Sequence, residues 1–127
     1  MNVENLCVKS KIGEHDIKSL SDDELSVSKH VIEENIRVVK AAQFLKSNGA
    51  EEFGKLMTES HMSLSKYYKV STLELDKLVD LANSFGASGS KLTGAGFGGA
   101  IVTLVKKELV EELKKYILDN YPNAKFI

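Results

Sequence analysis

The stretch GSKLTGAGFGGAIVTLV, residues 89–105, places Gly94, Gly96, Gly98 and Gly99 within six positions and follows them at once with β-branched and aliphatic residues. The flanks GSKLT and AIVTLV read as two strands, so the glycines form the tip of a β-hairpin over 89–105. Glycine tolerates positive φ, which lets consecutive backbone N–H groups converge on a concavity or lets another backbone approach closely. Two uses compete for such a tip: a turn that only reverses the chain, or a cradle for an anion such as phosphate.

Known glycine patterns narrow the choice. Gly94, Gly96 and Gly99 satisfy G-x-G-x-x-G, but a dinucleotide-binding fold needs that pattern to lead into a helix. Here Ile101, Val102 and Leu104 lead into a strand. A Walker A loop needs Lys-Ser/Thr after its last glycine, where this chain has Ala100-Ile101. A protein-kinase glycine loop does lie between two strands, yet neither H-R-D nor D-F-G occurs. Spacing alone leaves both the bare hairpin and the anion-facing loop standing, with Phe97 either packed under the turn or bracing a neighbouring loop.

Composition excludes other classes. At 127 residues, 43% hydrophobic and 28% charged, the chain suits one globular domain with a single core. A net charge of -1, from 17 basic and 18 acidic side chains, offers nothing to nucleic acid or to an anionic membrane. The run Ala100 to Val105 is too short to span a bilayer, and MNVENLCVKSK lacks a signal-peptide core, which reads as cytoplasmic. Cys7 has no disulfide partner and reads as a small buried hydrophobe, and no His/Cys grouping has metal-ligand spacing. Arg37, the one arginine, sits mid-helix and reads as a solvated surface residue.

After a short apolar alternation near Leu6 and Val8, Ser21 and Glu24 form a capping box. They open a helix of about 25 residues that ends at Asn48-Gly49. Its inward face is expected to hold Val31 or Ile32, Ile36, Val39, Ala42 and Leu45. A second helix presents Phe53, Leu56, Met57, Leu64 and Tyr68 and stops near YYKV. Ser71 with Glu74 is read as the cap of a third, with Leu75, Leu78, Val79, Ala82 and Phe85 inward and Gly86 as its C-cap. Beyond the hairpin a fourth buries Leu109, Val110, Leu113 and Ile117 and closes at Pro122, and AKFI reads as a short last strand. This order predicts an α+β domain over residues 1–127, a ferredoxin-like antiparallel sheet with helices packed on it.

GSKLTGAGFGGAIVTLV also resembles the third sequence motif of the GHMP kinase superfamily, which includes galactokinase, homoserine kinase and mevalonate kinase. Within that group KHVIEENIRVVKAA and FGKLMTESHMSLSKYYKVSTLELDKLVDLA are similar to galactokinase, through E-S-H, an aromatic before V-S, and E-L-D. Mevalonate kinases usually carry another glycine where Phe97 stands. The resemblance covers about residues 28–127 and corresponds to the last third of such an enzyme. It implies ATP-dependent phosphorylation of galactose to galactose 1-phosphate, with Mg²⁺, in a cleft shared with an N-terminal kinase domain. By the same resemblance Thr93, Gly94, Gly96, Gly98 and Gly99 form a loop supporting the ATP phosphate site, with no catalytic residue and no metal ligand in this chain. No P-x-x-x-G-L-S-S-S-A stretch is present to wrap the phosphates, so the chain alone is expected to be inactive and to bind neither ATP nor Mg²⁺ tightly. An exposed apolar face would give it a route to self-association. The rival readings are a non-catalytic ferredoxin-like ligand-binding or regulatory module, or the matching domain of another GHMP kinase such as mevalonate kinase.

Other features are read blandly. IGEHD, Ile12 to Asp16, is similar to an N-terminal galactokinase signature but lacks its flanks; it reads as chance, although a functional version would set Glu14 and Asp16 against a sugar. His61 reads as a hydrogen-bonded structural histidine, Glu59 as a local pairing residue, and Lys91 as solvent-exposed. Lys106-Lys107 and Lys114-Lys115, interleaved with Glu108, Glu111 and Glu112, read as a solvated helix face with i,i+4 support. Against the family pattern, Ala100 replaces the commoner cysteine or serine, Ser65-Lys66 replaces Arg-Asp, and the chain ends before a glycine-containing tail.

Overall fold

The computed structural model describes residues 21–94 and 99–127. Leu6, Val8, Cys7 and Ile12 to Asp16, with Gly96, Phe97 and Gly98, lie outside the described residues. Helix α1 (Asp22–Lys46) starts at Ser21, whose side chain accepts from the Glu24 N–H while Glu24 reaches back to the Ser21 N–H, the capping box expected. It ends in a turn where Asn48 takes φ 58°. Helix α2 (Ala50–Ser63) runs on into a π-helical turn, Leu64–Tyr68, closed by Lys69 in the left-handed region at φ 60°. Helix α3 (Leu73–Phe85) is capped by Thr72, whose Oγ1 accepts from the Leu75 N–H at 3.2 Å. The cap is one residue later than expected, because the Ser71 hydroxyl is committed to Asp76 instead.

Strand β1 (Gly89–Thr93) pairs antiparallel with β2 (Ala100–Leu104), Gly89 opposite Leu104 and Thr93 opposite Ala100. A 3₁₀ turn, Lys107–Leu109, leads into α4 (Val110–Asn120), and Pro122 follows its end. The α+β class and the hairpin stand as expected. The strand expected at AKFI does not form: the Ala124 N–H bonds back to the Tyr121 carbonyl at 3.1 Å and Ala124 packs on the α3–α4 core, turning the chain off a strand course. The expected i,i+4 support on α4 is an i,i+3 pair, Lys114 to Glu111.

Two apolar clusters hold these elements. Val70, Leu75 and Leu92, with Leu64 and Ile101, join the start of α3 to the hairpin. Ala82, Leu113 and Ile117, with Leu78, Phe85, Ala87, Val105 and Ala124, join α3 to α4. Each fully buried leucine or isoleucine contributes roughly 1.5–3 kcal/mol, and α3 takes part in both clusters.

Helix α1 is attached differently. Ile36 and Leu45, expected inward, are 49% and 63% exposed, Val31 of the alternatives Val31 or Ile32 is 40% exposed, and the buried residues are His30 and Asn35. His30 Nδ1 shares a 2.8 Å hydrogen bond with Ser63 Oγ, and Ser60 Oγ donates to Glu34 Oε2 at 2.6 Å. Such bonds contribute about 1 kcal/mol net apiece. The α1–α2 seam is therefore specified by polar partners. Arg37, read from sequence as solvated, has a side chain only 11% exposed, with Nε 3.5 Å from Glu34 Oε1 and Nη1 3.8 Å from Glu33 Oε2. The Glu33–Glu34 pair draws it down onto the helix.

Candidate functional site

The hairpin tip is where the sequence pointed, and its described ends are open. Thr93, Gly94 and Gly99 are exposed. Gly94 and Gly99 take φ 84° and 134°, in the region that favours glycine, and a side chain at either would meet almost nothing: the nearest atom to a Cβ on Gly99 is Thr93 O at 3.7 Å. Conformation, not crowding, selects glycine at both. Thr93 and Ala100 form the last pair of the ladder, and Gly94 and Gly99 beyond it are exposed. A cavity of about 780 Å³ opens from Gly99 along Ala100–Thr103 and is walled by Leu75, Leu78, Leu113 and Ile117. No His, Cys, Asp or Glu cluster among the described residues could hold a metal ion.

Helix α2 fixes the strand that delivers this loop. Gly54 and Gly89 meet backbone to backbone, and a Cβ on either would fall inside the other segment. From that contact the helix runs beside β1: the Ser90 N–H donates to Thr58 Oγ1 at 3.3 Å and the Leu92 N–H donates to His61 Nδ1 at 3.1 Å. The registers match, since seven helical residues and three strand residues each advance roughly 10 Å. Polar side chains of a helix thereby occupy the strand edge that another strand would otherwise take.

His61 is 1% exposed and structural, as read from sequence. Because Nδ1 accepts from Leu92, the ring proton sits on Nε2 and is donated to Asp76 Oδ1 at 2.8 Å. Asp76 also accepts from Ser71 Oγ at 2.7 Å and from Ser65 Oγ at 3.0 Å. Partial burial pushes the Asp76 carboxyl up, but the hydrogen bonds from Ser71, His61 and Ser65 outweigh it and hold the group below its ordinary value. Lys91 corrects its reading: it is neither exposed nor aimed at the loop, because Nζ donates to Ser60 Oγ at 2.8 Å.

Sequence reasoning missed Gly54, Thr58, Asp76 and Gly89 as supports of the loop. A signal existed in the stripe Glu51, Gly54, Thr58, His61, spaced 3-4-3 along α2, which marks one helical face of small and polar residues. Glu51 at its start accepts from Ser88 Oγ at 3.0 Å.

Comparison with known proteins agrees with this geometry. The family "GHMP kinases C terminal" matches residues 41–123. The galactokinase of Clostridium acetobutylicum is 40% identical over 123 residues, covering 94% of this chain and 32% of that protein. The Bacillus subtilis galactokinase is 44% identical over 95 residues, covering 74% and 24%. The crystal structure of Lactococcus lactis galactokinase complexed with galactose superposes with a TM-score of 0.79 at 29% identity, over 95% of this chain and 30% of that one. The chain thus spans about a third of the length of the relatives it matches. Its fold, its glycine-tipped hairpin and the match over residues 41–123 agree: this chain belongs to the GHMP kinase family and carries the family's C-terminal domain.

Proposed function

We propose that this chain is the C-terminal part of a galactokinase-like kinase, which transfers the γ-phosphoryl group of ATP to galactose. Phosphoryl transfer is catalysed mainly by positioning and by neutralising charge. In this reading Thr93, Gly94, Gly96, Gly98 and Gly99 form one wall of the ATP phosphate site, offering main-chain N–H groups and the Thr93 hydroxyl to the nucleotide. The exposed positive-φ glycines at both ends of the loop support that role. The observation that carries the reading is the pair of exposed positive-φ glycines, Gly94 and Gly99, on a hairpin whose first strand is clamped by a helix, in a chain 40% identical to a galactokinase. Mg²⁺ arrives with the nucleotide, and the groups that activate the sugar hydroxyl come from an N-terminal kinase domain. The chain alone does not turn over.

A chimera tests this. Residues of this chain replace the matching C-terminal third of the Clostridium acetobutylicum enzyme, and ATP-dependent formation of galactose 1-phosphate is assayed beside the isolated chain. Activity in the chimera and none in the chain is expected. A folded chimera without activity, together with specific small-molecule binding by the isolated chain, would favour the non-catalytic binding module.

A further inference from the structure

We infer that His61, locked between Asp76 and the main chain of Leu92, is a positioning residue that sets where the glycine loop leaves the sheet. The inference rests on the kinase reading for its activity readout and on geometry alone for the rest. Leu92 lies two residues before Gly94 and is held twice: its side chain, 3% exposed, sits between Val70 and Leu75, and its N–H is taken by His61. Thr93 is exposed and held only by its pairing with Ala100, so Leu92 is the last buried residue before the loop. His61 is itself fixed from behind by a carboxylate that three side chains grip, two of them from the π-helical turn and the segment before α3. Five segments therefore converge on a single main-chain N–H. A histidine that only filled space would need neither the Nε2 partner nor the edge contact, since Leu92 is already buried by its own cluster.

Two substitutions separate the ends of this relay. His61→Asn keeps an acceptor near the place of Nδ1 and loses the reach to Asp76, whereas His61→Gln keeps the reach to Asp76 and loses the acceptor for Leu92. On the full chain, imidazole ¹⁵N shifts should show the Nε2–H tautomer. Amide exchange at Leu92 should accelerate at least tenfold in His61→Gln, with amide shifts at Thr93, Gly94 and Gly99 moving more than in His61→Asn, while Ser90, bonded to Thr58, keeps its protection. In the chimera, His61→Gln should raise KM for ATP at least fivefold, leave KM for galactose within twofold, and do more damage than His61→Asn at matched Tm. An Nδ1–H tautomer, or equal effects of the two variants at residues 93, 94 and 99, overturns the inference. If the unsubstituted chimera is inactive the kinase reading fails, and the exchange and shift measurements still decide the role of His61.

Discussion

Gly54 of α2 and Gly89 of β1 touch through their backbones so closely that neither position has room for a Cβ. That contact brings a helix to the edge of a strand, and it lets Thr58 and His61, farther along the same helical face, reach the N–H groups of Ser90 and Leu92. The placement of the loop begins with two missing side chains.

Gly54→Ala should be strongly destabilising, because the added methyl meets the Ser88 main chain and not a flexible side-chain end. Overpacking of this kind costs about 1–3 kcal/mol and sometimes more. Urea denaturation should show that loss, with the Leu92 amide losing protection as α2 lifts from the edge. Unchanged stability would mean that the helix and strand do not meet at this point.

Gly94 and Gly99 should respond differently to substitution. Gly94, at φ 84°, lies nearer the left-handed well, so Gly94→Asn should be nearly tolerated. Gly99, at φ 134°, is farther from any well open to an L-residue, and Gly99→Ala should cost about 1–3 kcal/mol. Both sites have space for a methyl, so equal tolerance in urea melts would contradict the assigned backbone.

Acid should act in two separate windows. Burial lowers the His30 pKa from 6.5, with Glu34 and Glu33 opposing and Arg37 and Lys91 assisting. The unfolded chain then binds a proton that the folded chain refuses, so stability falls as pH drops below 6.5 toward the folded value. His30→Gln should flatten that slope in urea melts taken at a series of pH values.

Asp76 has a linkage of the same sign in a lower window. Its pKa lies below 3.8, so the stabilisation is present above that value and disappears as pH falls through the folded one. With 37% of the side chain exposed the effect is modest. Asp76→Asn should remove pH dependence only in this lower window, and a change near pH 6.5 would implicate another group.

Val31→Lys and Leu45→Lys should change stability by no more than about 0.5 kcal/mol, since both residues face solvent. Leu75→Ala, at a position 3% exposed, should cost about 2–5 kcal/mol. Comparable losses from all three would restore the apolar face that periodicity assigned to α1.

Several signals were read correctly because their physics is local. Ser21 and Glu24 satisfy each other's N–H groups within one turn, so the start of α1 was visible. Gly86 at φ 119° ends α3 for a reason contained in the residue itself. Leu75, Val79 and Ala82 recur at helical spacing and are buried, because α3 lies between two apolar clusters. The hairpin was legible for the same reason, as was the family. Periodicity failed on α1, whose apolar stripe and buried stripe are different faces. Arg37 and Lys91 were misjudged because their partners, Glu34 and Ser60, become neighbours only through helix winding and strand packing.

What the amino-acid order determined unaided was the helices and the hairpin, since most caps, turns and positive-φ positions depend on residues a few places apart. Tertiary structure alone decided which face α1 buries and what holds β1 ahead of the loop. The Leu92 N–H and the His61 ring lie 31 residues apart, and a hydrogen bond between groups that distant exists only after α2 has been laid against β1.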